Sequence, residues 1–306
     1  MARSPLSCRE AEPEGRSRAA PPLRRLEDGG VLLVDKPAGI TSHDAVAIVR
    51  RALGTRKVGH TGTLDPMATG LLVMGIGRAT RLLRFFGDLP KEYEGTMRLG
   101  VETTTLDAEG EVTSERAVDV TDEAIDAAMA AKLGASAQRP PAFSAVKVGG
   151  RTLHAAARKG EHLEAPARIV RVDRFERTRR AGVDVGFVCV VSGGTYVRVL
   201  AADVGEALGC GAHLTALRRT AIGPFSVADA LPPDDPGEPQ PLERAVAHLP
   251  RCELIADEAI AASHGRILGP AAIEGPYGVY DPDGRLIGVY RDDGGKARPL
   301  VILAPA

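Results

Sequence analysis

The order of apolar and polar positions divides the chain into elements before any composition is counted. Gly30 to Asp35 is a short unbroken apolar run, the pattern of a buried strand, and it ends in the turn Asp35-Lys36-Pro37-Ala38-Gly39. Ala45, Val46, Ile48, Val49, Ala52 and Leu53 then recur at helical spacing, with Ser42 as the expected N-cap and Gly54 as the stop. A glycine-rich stretch, Gly59-His60-Thr61-Gly62-Thr63-Leu64-Asp65-Pro66, precedes an apolar strand over 71–76, and a short helix is expected over 79–86. Lys91 to Leu99 alternates as a strand, Asp107 to Gly110 reads as a turn, and Glu111 to Val118 as a second strand. Thr121 caps an alanine-rich helix that reaches Leu133. Short strands are expected near 143–148, 168–177 and 183–191, with a helix near 151–159. Gly193 to Arg198 leads into a helix ending about Leu208, and His213 to Ile222 is the last strand of this region.

Strands outnumber helices and are joined mainly by turns, which predicts an α+β fold around a mixed, largely antiparallel sheet. The large domain is expected over 29–231. Residues 232–250, opening on a stretch with five prolines over 232–241, read as a linker. Residues 251–306 hold one helix and several short strands between glycine-rich turns, a small mostly β module. The first 28 residues alternate Arg, Glu, Pro and Ala without an apolar stretch of signal-peptide type, so a disordered extension is expected over 1–28.

At 306 residues, with 44% apolar and 26% charged, the chain can bury a large core and a small one. No apolar run approaches the ~20 residues of a membrane span. Cys8, Cys189, Cys210 and Cys252 stand apart, with no CxxC pair, which excludes a disulfide scaffold or a structural zinc module and reads as reduced intracellular thiols. Cys210-Gly-Ala-His213 lacks a second half for a metal site, so no metal is expected. The net charge of −1 hides strong segregation. Residues 36–91 hold 9 Lys/Arg against 3 Asp/Glu and 139–180 hold 11 against 4, whereas 92–129 hold 2 against 11. The two basic blocks form either one positive face for a polyanion or ordinary solvated surface.

Asp65 is the outstanding carboxylate, set among Gly59, Gly62 and Gly70 where backbone can approach a ligand closely. It is either a nucleophile or general base, or simply the cap of a helix beginning at Pro66. Tyr93 and Tyr196 are two of only five tyrosines, and each is either core packing or a stacking platform for an unstacked base. Arg198 lies two residues beyond Tyr196, on the same side if the segment is a strand. It is an ordinary surface cation or the partner of a buried acid, and Asp203 competes for it locally.

Six blocks occur in order: Gly30 to Gly39, Gly59 to Pro66, Lys91-Glu92-Tyr93, Gly194 to Arg198, Gly209 to Leu214, and Leu217-Arg218-Arg219. Together they closely resemble the bacterial tRNA pseudouridine-55 synthases (the B family), over roughly 29–230. The tail resembles the small module related to the PUA fold that follows the catalytic domain in many members. The resemblance implies an isomerase that converts uridine 55 in the tRNA T stem-loop to pseudouridine, a cytoplasmic monomer with no cofactor and no membrane. It places Asp65 as the nucleophile, Tyr93 on the target base and in final proton removal, and Arg198 as the partner of the carboxylate. By the same resemblance His60 holds the flipped nucleotide, Tyr196 lines the pocket, and Lys36, Lys147 and Leu217 face RNA. Two positions depart from the family: Thr103-Thr104-Thr105 stands where Thr-Asp-Thr is common, and Phe143 where many members carry Tyr. Two other readings stay open: an idle RNA-binding protein that keeps the groove but not the reaction, and a related enzyme that modifies other RNA sites.

Overall fold

The computed structural model describes residues 29–161 and 163–303; the extension expected over 1–28 lies outside the described residues. The chain begins with Gly30–Lys36 (β1), Ser42–Ala52 (α1), Val58–Thr61 (β2), Thr69–Ile76 (β3) and Lys91–Leu99 (β4). Val101–Thr103 (β5) and Val112–Glu115 (β6) form a two-stranded ribbon ahead of Asp122–Ala130 (α2) and Gly134–Gln138 (β7). A second ribbon, Lys147–Val148 (β8) with Arg151–Thr152 (β9), leads into Leu153–Ala157 (α3). Arg168–Ala181 (β10), Asp184–Val191 (β11), Val197–Ala207 (α4), Ala212–Ile222 (β12) and Phe225–Ser226 (β13) complete the large domain.

The main sheet runs β1-β3-β12-β4-β11-β10-β7, with β2 on β3 and β13 on β12. All its pairings are antiparallel except β12 with β3. That exception creates the site. β1 occupies one edge of β3 along its length, while the other edge is shared: β12 pairs at Thr69 and Gly70, and β2 at Val73 to Ile76. The sheet forks there, and the loop from Gly62 to Ala68 comes out at the fork.

β1 reads as an unbroken apolar run because both faces are covered. Leu32 and Val34 join a core with α1, α2 and α4, and Val31 and Leu33 join a second core on the opposite face. The second core also takes in Phe86, Phe225, Ala245 and Val246, together with Tyr280, Val289 and Val301 of the C-terminal module. That module is a four-stranded sheet of Arg251–Glu253 (β14), Pro276–Tyr280 (β15), Leu286–Asp293 (β16) and Lys296–Ile302 (β17), with Ala256–Ser263 (α5) against it. Residues 232–250, expected to be a spacer, are fastened to β1 instead. Gln240 exchanges two backbone hydrogen bonds with Val31 (2.7 and 2.9 Å), and Leu231, the residue just before the segment, donates to Leu33 and accepts from Asp35. Non-proline residues make these contacts, because proline has no N–H to donate.

Several local expectations are corrected. Thr41, not Ser42, caps α1: its hydroxyl accepts from the Asp44 N–H while its own N–H donates to the Asp44 carboxylate, a capping box. The stretch around His60 is strand β2 rather than loop, residues 134–138 form an unforeseen edge strand, and the helix expected over 79–86 is two short 3-10 turns. Cys189 and Cys210 are buried free thiols. Among the described residues, no helix is long and apolar enough to cross a membrane.

Candidate active site

Pro66 and Met67 are the central residues of a turn that closes with the Ala68 N–H on the Asp65 carbonyl at 3.1 Å. No helix follows, so Asp65 caps nothing and its side chain is left for another role. The loop is held from three directions. Ser42, buried in the first turn of α1, accepts from the Leu64 N–H (2.9 Å) and donates to the Leu64 carbonyl (3.1 Å), which fixes both polar groups of the residue before Asp65. Lys36 spends its three donors on the carbonyls of Pro37, Ile40 and Pro66, at 2.8, 2.7 and 3.1 Å. Arg219, 1% exposed, donates to the carbonyls of Leu71 and Gly62, both at 2.8 Å.

Two glycines make room for Arg219 rather than for a ligand. At Gly62 (φ +71°) a Cβ would lie 3.1 Å from the Arg219 guanidinium, and at Gly70 (φ +102°) it would lie 2.3 Å from the Arg219 carbonyl oxygen. Lys36 is likewise corrected as an RNA contact. It is 0% exposed, its ammonium is fully engaged by backbone, and burial lowers its pKa.

Arg198 is the hub of the site. It sits in the first turn of α4, not on a strand, and Tyr196 is the N-cap. The Gln138 amide holds both polar groups of the Tyr196 backbone, accepting from its N–H (2.8 Å) and donating to its carbonyl (3.2 Å). Arg198 is 3% exposed and presents its guanidinium to two carboxylates and two carbonyls. Nη2 donates to Asp65 Oδ1 (3.2 Å) and to the Phe143 carbonyl (2.9 Å), and Nε lies 2.9 Å from Asp65 Oδ2. Nη1 donates to the Thr105 carbonyl (2.7 Å) and lies 3.1 Å from Asp107 Oδ2. Asp203 does not compete: it pairs with Lys132 at 3.6 Å.

Asp107, 2% exposed, is the residue the sequence reading passed over. Its Oδ1 accepts from the Glu109 N–H and the Thr105 hydroxyl, so its position is set independently of Arg198. Thr104 is occupied with the ribbon, its hydroxyl accepting from the Glu111 N–H, and takes no part in this network. The Asp65 side chain keeps 36% of its exposure, yet the protein around it desolvates it. That desolvation raises its pKa above the ordinary carboxylate value, Arg198 opposes the rise, and Asp107 adds to it. The result is a carboxylate clamped in orientation on one side and open on the other.

The other expected site residues divide. Tyr93, 7% exposed, belongs to the same apolar cluster as Leu64 and Leu200, which lie next to Asp65 and on the Arg198 helix. Tyr196 lies under the Arg168 guanidinium, 5.3 Å from the ring centroid. Lys147 is exposed on the β8–β9 ribbon. Leu217 is corrected as an RNA contact: it is 8% exposed and packs in the core. It only touches the wall of a groove of about 530 Å³, shared with Met67, Glu94, Arg179 and Arg218 and not lined by Asp65. His213 is bound by the Val101 carbonyl (2.9 Å), and among the described residues no three His, Cys, Asp or Glu side chains gather as metal ligands.

His60 packs edge-on against His43, with ring centroids 5.5 Å apart. Burial, assisted by His43 and Arg219, lowers its pKa to about 4, so the ring is neutral at pH 7. An unfolded chain protonates this histidine near pH 6.5, and the folded chain only near 4. Within that window the unfolded state binds more protons, so stability falls as the pH drops. The loss is at most about 3 kcal/mol, less what partial exposure screens. Urea unfolding at pH 7.5 and 5 is expected to show a smaller pH effect in His60→Gln than in wild type. Equal shifts in both proteins would mean that the ring is solvated.

The charge map differs from the one the sequence suggests. Arg177 bridges Asp122 and Asp126, and Arg180 pairs with Asp122, so the acidic segment neutralises part of the second basic block. Arg139, Arg151, Arg171 and Arg174 pair with Glu164, Glu161, Asp173 and Glu176. Six of the eleven cations in 139–180 are therefore committed. Exposed cations remain at the end of α1 (Arg51, Arg56, Lys57) and beyond β7 (Lys147, Arg158, Lys159).

Residues 50–197 match the model of the TruB family pseudouridylate synthase N-terminal domain. Residues 198–235 match the tRNA pseudouridylate synthase B C-terminal domain, and 249–304 match the C-terminal domain of tRNA pseudouridine synthase II. The chain is 49% identical to the tRNA pseudouridine synthase B of Mycobacterium sp. (strain KMS), covering 91% of this chain and 97% of that one. It is 47% identical to the same protein of Mycobacterium tuberculosis (strain ATCC 25618 / H37Rv), covering 90% and 96%. Among solved structures, a chain of a Cbf5-Nop10-Gar1 complex superposes with a TM-score of 0.71 at 29% identity, covering 100% of this chain and 95% of that one. A chain of an H/ACA RNP bound to a substrate RNA superposes with a TM-score of 0.70 at 26% identity, covering 92% and 86%. An α+β domain with a forked, largely antiparallel sheet and a small β domain behind it is thus the pseudouridine synthase fold, and the chain belongs to the TruB family of pseudouridylate synthases.

Proposed function

We propose that this chain isomerises uridine 55 in the T arm of tRNA to pseudouridine in the cytoplasm, with Asp65 as nucleophile. The observation that carries the reading is the Asp65 carboxylate held by Arg198 at 2.9 and 3.2 Å while more than a third of its side chain faces outward. The relatives named tRNA pseudouridine synthase B support the tRNA substrate.

The reaction breaks the N1–C1′ bond, turns the uracil, and joins C5 to C1′; the C5 proton leaves to solvent and N1 gains one. A base paired or stacked in a stem-loop is out of reach, so the target nucleotide is extruded at a cost of a few kcal/mol. Asp65 adds to the extruded nucleotide as a carboxylate and leaves again as a carboxylate before the pseudouridine departs, and Arg198 opposes the protonation that desolvation favours. Tyr93 is assigned to stack on the extruded base, and its phenol to offer a route for the C5 proton. His60, neutral at working pH, fills space beside the loop without drawing the Asp65 charge.

The test uses T-arm RNA tritiated at C5 of its uridines. Release of one tritium per RNA, abolished when position 55 is cytidine, supports the reading. Release that persists from the cytidine-55 RNA points to another RNA site. Binding without any release from the uridine-55 RNA leaves an idle RNA-binding protein.

A further inference from the structure

We propose that the segment 139–161, which leaves the sheet after β7, is a catch that sets the catalytic guanidinium through the main-chain carbonyl of Phe143. The reading rests on the isomerase function above. Two neighbouring points grip the start of α4, one at the last residue of β7 and one in the segment itself. Gln138 holds the Tyr196 backbone, and the Phe143 carbonyl accepts from Arg198 Nη2 at 2.9 Å, closer than the 3.2 Å contact of the same nitrogen with Asp65. With the Phe143 carbonyl in place, Nη2 is divided between segment and nucleophile and its direction is fixed. Without it, the guanidinium is free to tilt about its remaining bonds to Thr105, Asp107 and Asp65.

The seat of Phe143 is made by its neighbour. The Ser144 carbonyl accepts twice from His154, from the backbone N–H and from ring Nδ1, both at 3.1 Å. A carbonyl only accepts, so Nδ1 carries the proton. Leu153 donates to the Val146 carbonyl at 2.8 Å, which ties the same stretch to the first turn of α3. The Ser144 hydroxyl is buried with no hydrogen-bond partner, so this side chain opposes the seating rather than securing it. His154 is therefore the fastener. Lys147 on β8, and Arg158 and Lys159 just beyond α3, are exposed cations on either side of it. Phosphates of the RNA backbone on these cations would hold α3 and the 143–144 peptide against the hub while substrate is aboard. Residues 143–147 thereby gain a part in the reaction through their backbone, which is indifferent to whether position 143 is Phe or Tyr.

The test compares wild type, His154→Ala and His154→Asn on tritiated T-arm RNA, with RNA affinity measured separately. His154→Ala is expected to lower kcat about tenfold, the effect of one misdirected hydrogen bond, while RNA affinity changes less than about twofold. His154→Asn, whose side-chain amide can again donate to the Ser144 carbonyl, is expected to restore most of kcat. Unchanged kcat in His154→Ala overturns the catch, and so does a loss confined to affinity, or an Asn variant as slow as the Ala variant. Hydrogen exchange supplies a second readout that survives misbehaving kinetics: saturating RNA is expected to slow the amides of residues 143–147 in wild type and not in the Lys147→Ala/Lys159→Ala protein. Equal slowing in both overturns the proposal. A wild type that releases no tritium refutes the isomerase reading instead, which separates the two failures.

Discussion

Asp65→Asn is expected to lower tritium release by at least about a thousandfold while the protein folds and binds T-arm RNA as wild type does. The substitution keeps the shape of the side chain and one oxygen able to accept from Arg198, and it loses the charge, the nucleophilicity and the second oxygen that faces the guanidinium. Stability gives the result a second edge. The pKa of Asp65 is raised in the folded chain, so above its ordinary value the folded state holds its proton more tightly than the unfolded state does. Stability then falls as pH rises through that window, and the ionised carboxylate costs stability at pH 7. The Asn variant is therefore expected to melt at the same temperature as wild type or higher, the pattern of a residue kept for function against stability. For the same reason the acid limb of the wild-type rate profile is expected to lie above the ordinary aspartate pKa, because turnover needs the ionised form. Turnover in Asp65→Asn within tenfold of wild type would remove Asp65 as the nucleophile.

The sequence disclosed the strands and the aspartate, and hid what holds them. β1, β4 and β12 were legible because burial on one or both faces imposes an apolar pattern that alternation exposes. β2 and β7 were not, for different reasons. Thr61 is the only polar side chain buried in the four-residue β2, and Ala135 to Ala137 of β7 are exposed, so neither segment carries a period. The fork in the sheet depends on β12 lying parallel to β3, a pairing between residues 149 positions apart that no local pattern encodes. Side chains whose work is to hold backbone were the most easily misread. Lys36 looks like an RNA contact because it is a cation in a motif, yet it is buried and, like Arg219, spends its donors on carbonyls around the Asp65 loop. Asp107 was visible as part of a turn, and only the folded chain brings it to Arg198. The segregated charge misled in the same way: acids of α2 and arginines of β10 are far apart in sequence and neighbours in space.

Arg198→Lys is expected to cost about a hundredfold or more in kcat with little change in RNA affinity, although charge is conserved. A guanidinium reaches Asp65, Asp107, Thr105 and Phe143 at once because its donors lie in a rigid plane. An ammonium is a compact point charge on a flexible stem and cannot face all four. It would neutralise part of the buried charge, so the fold survives better than in Arg198→Ala, which leaves Asp107 buried without its cation, at about 3–5 kcal/mol. What the Lys variant loses is the direction of the Asp65 carboxylate, and direction counts only in the transition state. Asp107→Asn separates the two contributions. Removing that charge takes away a group that pushes the Asp65 pKa up, so the acid limb of the rate profile is expected to move to lower pH, while kcat falls less than in Arg198→Lys. The measurement is the pH dependence of single-turnover tritium release in the three proteins. An acid limb that stays put in Asp107→Asn would mean that Asp107 acts on Arg198 alone. A Lys variant as fast as wild type would mean that charge without direction is enough, and the four-way grip of Arg198 would then be part of the fold and not of the reaction.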